Sequence, residues 1–170
     1  MVPASAAHLI HLARRFVGAL DQRGPDGPGE QWVASVLRPG ERELWAAMSG
    51  PDRRHALDVA RRVVGLLGPA ATRAVLAAAL LHDVGKIESG LGTMGRVPAT
   101  LAAMVAPRRL AGGEGRLARY VRHDVIGASL LADAGARWCS AAHDTVRASA
   151  PAEWTLPAEV ARALKAADDD

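Results

Sequence analysis

The chain has 170 residues, of which 49% are hydrophobic and 23% charged, and its formal net charge is +3. This composition is typical of one soluble globular domain and argues against general disorder. Aromatic residues make up only 4% of the chain, so few side chains could stack on bases, which argues against nucleic-acid binding. The single cysteine, Cys139, excludes intramolecular disulfides and cysteine-based zinc sites. Any metal must therefore be bound by histidine and carboxylate side chains.

Membrane association and secretion are not indicated. The longest apolar stretch is too short to span a membrane, because Arg73 precedes it and His82 and Asp83 follow it. The first twenty residues lack the early basic cluster of a secretory signal, and His8 and His11 interrupt their apolar stretch. We therefore expect a cytoplasmic protein.

The sequence predicts an all-α fold, because Ala, Leu and Arg recur at helical spacing while β-branched alternation is almost absent. A first helix is predicted over 5–20, and it ends at the Gly- and Pro-rich loop of residues 21–30. Further helices are predicted over 31–37, 40–49, 51–67, 69–82, 98–106, 114–121, 125–134, 136–144 and 157–168. We expect residues 1–50 to form a helical extension packed on a core domain of residues 51–170, as one compact unit.

Two of the predicted helices are expected to carry a polar residue on an apolar stripe that faces the core. The first stripe consists of His55, Val59, Val63 and Leu66, and the second of Leu156, Val160, Leu164 and Asp168. A buried carboxylate without a partner is costly, so Asp168 should either neutralise or meet a cation.

Further candidate ligands occur in three other places. His82 and Asp83 stand side by side at the end of an apolar run, and His123 begins the pattern HxxxG, whose glycine allows close backbone approach. His143 lies in a short predicted helix. Adjacent helical residues point about 100° apart, so other helices must complete a site around His82 and Asp83. Asp83 has two oxygens and could bridge two ions.

A structural interpretation of each residue stays open. A lone histidine on an apolar face is more often a hydrogen-bonded core residue, and a terminal run of Asp is more often a solvated tail. Candidate ligands on four separate helices favour a metal site instead. A mixed His and carboxylate set suits Mn, Fe, Co, Ni or Zn more than Mg or Ca.

The segments RRHALDVARRV, LLHDVGKI and ALKAADD resemble the HD-domain superfamily of metal-dependent phosphohydrolases, whose signature is a His, a His-Asp doublet and a distant Asp on a helical bundle. The matching residues are His55, His82, Asp83 and Asp168, and the match spans 51–168. The most similar subgroups have HDIGK-like doublets and two additional histidines. They include the HD-GYP type and the HD domains of membrane-anchored cyclic dinucleotide phosphodiesterases.

The resemblance implies a ligand set for two ions. The first ion would take His55, His82, Asp83 and Asp168, and the second would take Asp83, His123 and His143. The sequence departs from the family in two ways: it has no GYP triplet, and Lys86 stands where nucleotidase-like and ppGpp-hydrolase-like relatives carry a catalytic glutamate. Those two activities are therefore disfavoured.

The function we expect is that of a phosphodiesterase or phosphatase acting on a small, phosphorylated, nucleotide-type substrate through water activated by one or two divalent ions (Mn, Fe, Co, Ni or Zn). Asp83 would hold the ions and orient the nucleophile, and Lys86 would contact the phosphate as a point charge. Arg54, Arg122 and Asp144 are weaker candidates for surrounding the site. Two alternatives are a non-catalytic, metal-binding regulatory module and a di-iron oxygenase resembling inositol oxygenases.

Overall fold

The structure is a computed structural model that describes residues 21–91, 112–133 and 157–169. Helices account for 79% of these residues and no strand occurs among them, so the predicted all-α class is confirmed. The helices are α1 (Gly27–Val36), α2 (Pro39–Ala47), α3 (Gly50–Leu67), α4 (Arg73–Leu81), α5 (Arg116–Val121), α6 (His123–Asp133) and α7 (Ala158–Asp169), with 3₁₀ helices at Gly68–Ala70 and Val84–Ser89. The helices predicted over 5–20, 98–106 and 136–144 lie outside the described residues.

Capping side chains set the starts of α1 and α3. Asp26 accepts a hydrogen bond from the N–H of Gly29 at 2.9 Å, and Ser49 accepts one from the N–H of Asp52 at 3.3 Å. A proline lies in the first turn of each helix, where its missing N–H has no intrahelical partner to lose. For this reason α1 begins inside the predicted loop of residues 21–30 rather than at residue 31.

Helix α4 lies at the centre of the described fold. After Arg73 it is apolar around its whole circumference, and its residues from Ala77 to Leu81 are fully buried, as expected for a helix surrounded by others. Helices α1, α2 and α3 pack against it, and α7 packs on α3. The 3₁₀ helix that follows α4 packs against α5 and α6. No helix in the described stretches has the length and apolar character needed to cross a membrane.

Two sequence predictions about these helices are wrong. The helix predicted over 69–82 begins only at Arg73, because a separate 3₁₀ helix covers Gly68–Ala70 and its first residue, Gly68, adopts a φ of +51°. The stripe predicted on α3 is also incorrect at its last position, since Leu66 is 57% exposed. The apolar face of α3 turns toward Leu67, which packs against the core.

Candidate metal centre

The His-Asp doublet lies where the chain leaves α4. His82 still has helical backbone angles, with φ −56° and ψ −33°, whereas Asp83 has left the helix with φ −97° and ψ 6°. The angle of about 100° expected between adjacent side chains of a regular helix does not apply here, because the helix ends between His82 and Asp83. His82 Nε2 lies 3.5 Å from Asp83 Oδ2, and both side chains are buried.

Helices α3 and α7 bring two further predicted ligands to this point. His55 Nε2 lies 2.9 Å from Asp168 Oδ1, and His82 Nε2 lies 3.4 Å from the same oxygen. The rings of His55 and His82 meet edge to face, with their centroids 5.5 Å apart. The structure thus brings together the four residues that the resemblance assigns to the first ion.

Helix α6 begins with the next predicted ligand. His123 Nε2 lies 3.5 Å from Asp83 Oδ1, the oxygen opposite the one that faces His82. The Asp83 carboxylate therefore lies between two histidines, with one oxygen toward each. The predicted third ligand of a second ion, His143, lies outside the described residues, as does Asp144.

Backbone carbonyls fix the orientation of two of the imidazoles. His82 Nδ1 hydrogen-bonds to the carbonyl of Ala79 at 2.8 Å, and His123 Nδ1 bonds to the carbonyl of Tyr120 at 2.9 Å. A carbonyl oxygen only accepts, so Nδ1 carries the proton in both rings. In each neutral ring Nε2 is then the atom with the lone pair, and in both rings it faces Asp83. Metal-ligating histidines in proteins are usually held in this way.

Lys86 contacts the same carboxylate. Its Nζ donates to Asp83 Oδ2, and its side chain is only 13% exposed. Burial by itself lowers the pKa of Lys86, but the charges of Asp83, Asp52 and Tyr120 and the hydrogen bond to Asp83 together outweigh it and raise the pKa. Lys86 is therefore a largely buried, paired lysine and not a solvated one. Its predicted contact with a phosphate stays a prediction.

Charge pairing outweighs burial in setting the protonation of the cluster. Burial lowers the pKa of His82, but the Asp83 and Asp168 carboxylates raise it to about 9. Burial raises the pKa of Asp83, yet the charge of Lys86 and the neighbouring histidines hold it well below its ordinary value. Burial also raises the pKa of Asp168, but the hydrogen bonds from His55 and His82 hold it below the ordinary value. Both carboxylates are therefore anionic at neutral pH, the form that binds a cation.

The donor set and its spacing could hold a metal ion. His55, His82 and Asp83 each offer a ligand atom, and these atoms lie within 4.8 Å of one another. Two ligand atoms that are each about 2.1 Å from one ion, at angles of about 90° to 110°, are about 3.0 to 3.4 Å apart. The contact of Asp168 Oδ1 with His82, at 3.4 Å, has this spacing, and its contact with His55, at 2.9 Å, is slightly shorter.

Two glycines allow the 3₁₀ helix after α4 to touch α6. A Cβ on Gly85 would lie 1.7 Å from the carbonyl oxygen of His123 and 2.6 Å from the backbone nitrogen of Gly127. A Cβ on Gly127 would lie 3.1 Å from the nitrogen of Gly85. The close backbone approach predicted from the HxxxG pattern is confirmed, and it holds His123 against the His-Asp doublet.

Several polar residues have roles that the sequence did not predict. Arg54 donates to the backbone carbonyls of Asp21 and Arg23, and Arg122 donates to the carbonyl of Gly113. These contacts hold loop backbone. The sequence could not predict the carbonyls that orient the histidines, because every residue has a carbonyl. Only the fold determines which carbonyl lies within hydrogen-bonding distance of a given ring.

Comparisons of the chain with models of protein families, with curated proteins and with solved structures each found no significant match.

Proposed function

We propose that the protein is a metal-dependent phosphohydrolase of the HD-domain type, acting on a small phosphorylated substrate of nucleotide type. The observation that carries the proposal is the position of the Asp83 carboxylate, between Nε2 of His82 and Nε2 of His123 at 3.5 Å from each. The motif resemblance supplies the reaction class, and the geometry agrees with the ligand roles that the resemblance implies.

The residues divide into two groups around Asp83. His55, His82, Asp83 and Asp168 would hold one divalent ion, and Asp83 Oδ1 with His123 and His143 would hold a second. When bound, such an ion is a Lewis acid that polarises a phosphoryl oxygen and lowers the pKa of water.

The side chains of the cluster differ in exposure. Asp83 is 4% exposed, whereas Asp168 is 37% exposed and His55 and His123 are partly buried. A phosphate group would approach from the side of the more exposed residues. Asp83, held in its anionic form, can accept a hydrogen bond from the attacking water and orient it.

Lys86 acts through Asp83 in this arrangement. Its ammonium lies on Asp83 Oδ2 and removes part of the negative charge that would otherwise repel a phosphate. The pairing also fixes the rotamer of the carboxylate, so that the other oxygen faces His123.

The test is hydrolysis of a generic aryl phosphodiester and an aryl phosphomonoester by the purified protein, with Mn, Fe, Co, Ni or Zn supplied in turn. Asp83→Asn keeps the size of the side chain and removes its charge, so we expect kcat/KM to fall by about a hundredfold or more, which corresponds to about 3 kcal/mol. Asp58→Asn is the matched control, since Asp58 is an exposed carboxylate on α3 that pairs with Arg61. Hydrolysis that survives Asp83→Asn as well as it survives Asp58→Asn would contradict the proposal.

A second candidate function is a metal-binding module without catalysis. The contact between Lys86 and Asp83 favours it, because a lysine committed to a ligand carboxylate is less available to a phosphate. Bound metal that depends on His82 and Asp83, together with no turnover of either aryl phosphate or of cyclic and linear nucleotides, would support this second function.

A further inference from the structure

We infer that Arg62 is a positioning residue for Asp168, an inference that rests on the proposed role of Asp168 as a metal ligand. Arg62 Nη1 on α3 donates to the carbonyl oxygen of Ala167 at 3.0 Å. Ala167 directly precedes Asp168, so this bond holds the peptide group from which the ligand side chain extends.

The position of Asp168 makes such support necessary. It lies in the last turn of α7, and the last carbonyls of a helix have no intrahelical partners. Last turns therefore fray readily. Asp168 Oδ1 nevertheless has to stay within 2.9 Å of His55 and 3.4 Å of His82, and small displacements of a ligand weaken metal binding.

Helix α3 contacts the end of α7 at two points. His55 meets the side chain of Asp168, and Arg62, two helical turns later on the same side of α3, meets the backbone before it. The positive guanidinium also complements the negative end of the α7 dipole. Together the two contacts fix both the backbone and the side chain of the ligand.

Neighbouring charged residues do not share this arrangement. Arg61 pairs with Asp58 at 3.7 Å, and both of these side chains are exposed. Asp169 pairs with Lys165 of its own helix at 3.2 Å, again on the exposed surface. Arg61 therefore provides a matched control for Arg62.

The first experiment measures the affinity of the full-length, metal-stripped protein for Co²⁺ by calorimetric titration. We expect Arg62→Ala to weaken binding by roughly tenfold, the lower end of what outer partners of metal ligands contribute. Arg62→Lys should recover part of the loss, and Arg61→Ala should leave the affinity unchanged. In the Asp168→Asn background, Arg62→Ala should have no further effect, because the ligand that it positions is gone.

The second experiment needs no metal and separates this inference from the proposed function. The side-chain NMR signals of His55 in the metal-stripped protein report its hydrogen bond to Asp168. We expect Arg62→Ala to shift them toward their positions in Asp168→Asn, while Arg61→Ala leaves them in place. If the wild type binds no metal, the proposed function fails and these signals alone decide the role of Arg62.

Three results would overturn the inference. The first is an unchanged His55 signal in Arg62→Ala, and the second is an equal shift in Arg61→Ala. The third is a loss of Co²⁺ affinity that is additive with Asp168→Asn, since additivity indicates that Arg62 acts independently of Asp168.

Discussion

The two ends of α4 both bury charged side chains, and they do so differently. At the N-terminal end, the Glu41 carboxylate is 2% exposed and accepts hydrogen bonds from the N–H of Arg38 at 2.7 Å and from Arg73 Nη1 at 2.9 Å. Arg73 Nη1 also lies 3.3 Å from the carbonyl of Val36. These contacts join the end of α1 and the starts of α2 and α4 using only donors and acceptors of the protein itself.

At the C-terminal end, histidine nitrogens and carboxylate oxygens lie close together. His82 and His123 use Nδ1 on backbone carbonyls, and their Nε2 atoms lie 3.5 Å from the oxygens of Asp83. In neutral rings these nitrogens carry lone pairs, so each faces another electron-rich atom. This arrangement is stable when protons or a metal ion supply positive charge at that point.

A buried charge is therefore not by itself the sign of a binding site. A buried pair such as Glu41 and Arg73 that provides its own donors is typical of a structural contact. The cluster around Asp83 also contains an internal donor, Lys86, but it differs because the Nε2 atoms of two histidines face the same carboxylate while backbone carbonyls fix their rings. Such an arrangement could hold a metal ion.

The largest effect on stability is expected near the C-terminal end of α4, from Gly85→Ala. The new Cβ would overlap the carbonyl oxygen of His123 at 1.7 Å, and backbone atoms cannot rotate away from it. We expect the free energy of unfolding to fall by about 3 kcal/mol or more, as overpacking against a rigid neighbour does. Urea denaturation measures the effect, and a loss of less than about 1 kcal/mol would mean that the contact with α6 is looser than described.

The pH dependence of stability should come from His82, also at the C-terminal end of α4. In the metal-stripped protein, His82 keeps its proton up to about pH 9, whereas its pKa when unfolded is near 6.5. The folded state therefore binds more protons between these values, so the stabilisation is complete below pH 6.5 and is lost as the pH rises through 9. The expected loss is of the order of 3 kcal/mol.

Thermal melts of the stripped protein across this pH range measure the loss. His82→Gln, which cannot take up a proton, should flatten the dependence. Metal-loaded protein should behave in the opposite way, because bound metal requires a deprotonated imidazole and binds more weakly as the pH falls. An identical slope in the wild type and His82→Gln would contradict the assignment.

Breaking the pair of Glu41 and Arg73 should lower the free energy of unfolding without affecting the candidate metal centre. Arg73→Met leaves the buried Glu41 carboxylate without its cation, and we expect a loss of roughly 2 kcal/mol, below the full cost for a buried pair because Arg73 is 39% exposed. Co²⁺ affinity should not change. Arg61→Met, at an exposed pair, should alter stability by less than about 0.5 kcal/mol. A large loss of metal affinity in Arg73→Met would show that the two ends of α4 are not independent.

The smallest effect is a gain, from Gly65→Ala. A Cβ at this position of α3 would meet nothing within 4 Å, so only the helix propensity changes. We expect an increase in stability of about 0.5 to 1 kcal/mol. This variant is the matched control for Gly85→Ala, and a destabilisation similar to that of Gly85→Ala would contradict the packing described for both glycines.

The sequence predicted the helical class and most of the candidate site, because both depend on local spacing. His55 and Asp168 lie far apart in the chain, yet their places on helical stripes indicated that they face inward, and they lie 2.9 Å apart. The HxxxG pattern at His123 similarly indicated a close backbone approach, and the structure shows that the approaching backbone is that of Gly85. The assignment of ligand roles to these residues came from the resemblance and stays a prediction.

The rest depends on tertiary contacts that no local pattern encodes. Glu41 and Arg73 are charged residues in ordinary helical positions, and only the packing of α2 beside α4 buries one against the other. Leu66 fits the apolar spacing of α3 but faces solvent, because the neighbouring helices cover the face that includes Leu67 instead. Arg62 is one of several similar arginines in α3, and its role follows from where α7 ends.

The most direct test of the metal centre is the metal content of freshly purified protein, compared among the wild type, Asp83→Asn and Glu41→Gln. Both variants neutralise a buried carboxylate, one at each end of α4. We predict at least one equivalent of transition metal in the wild type and in folded Glu41→Gln, and only a small fraction of that in Asp83→Asn. A wild type that contains no metal and binds none of Mn, Fe, Co, Ni or Zn after stripping, or an Asp83→Asn variant that retains its metal, would contradict the account.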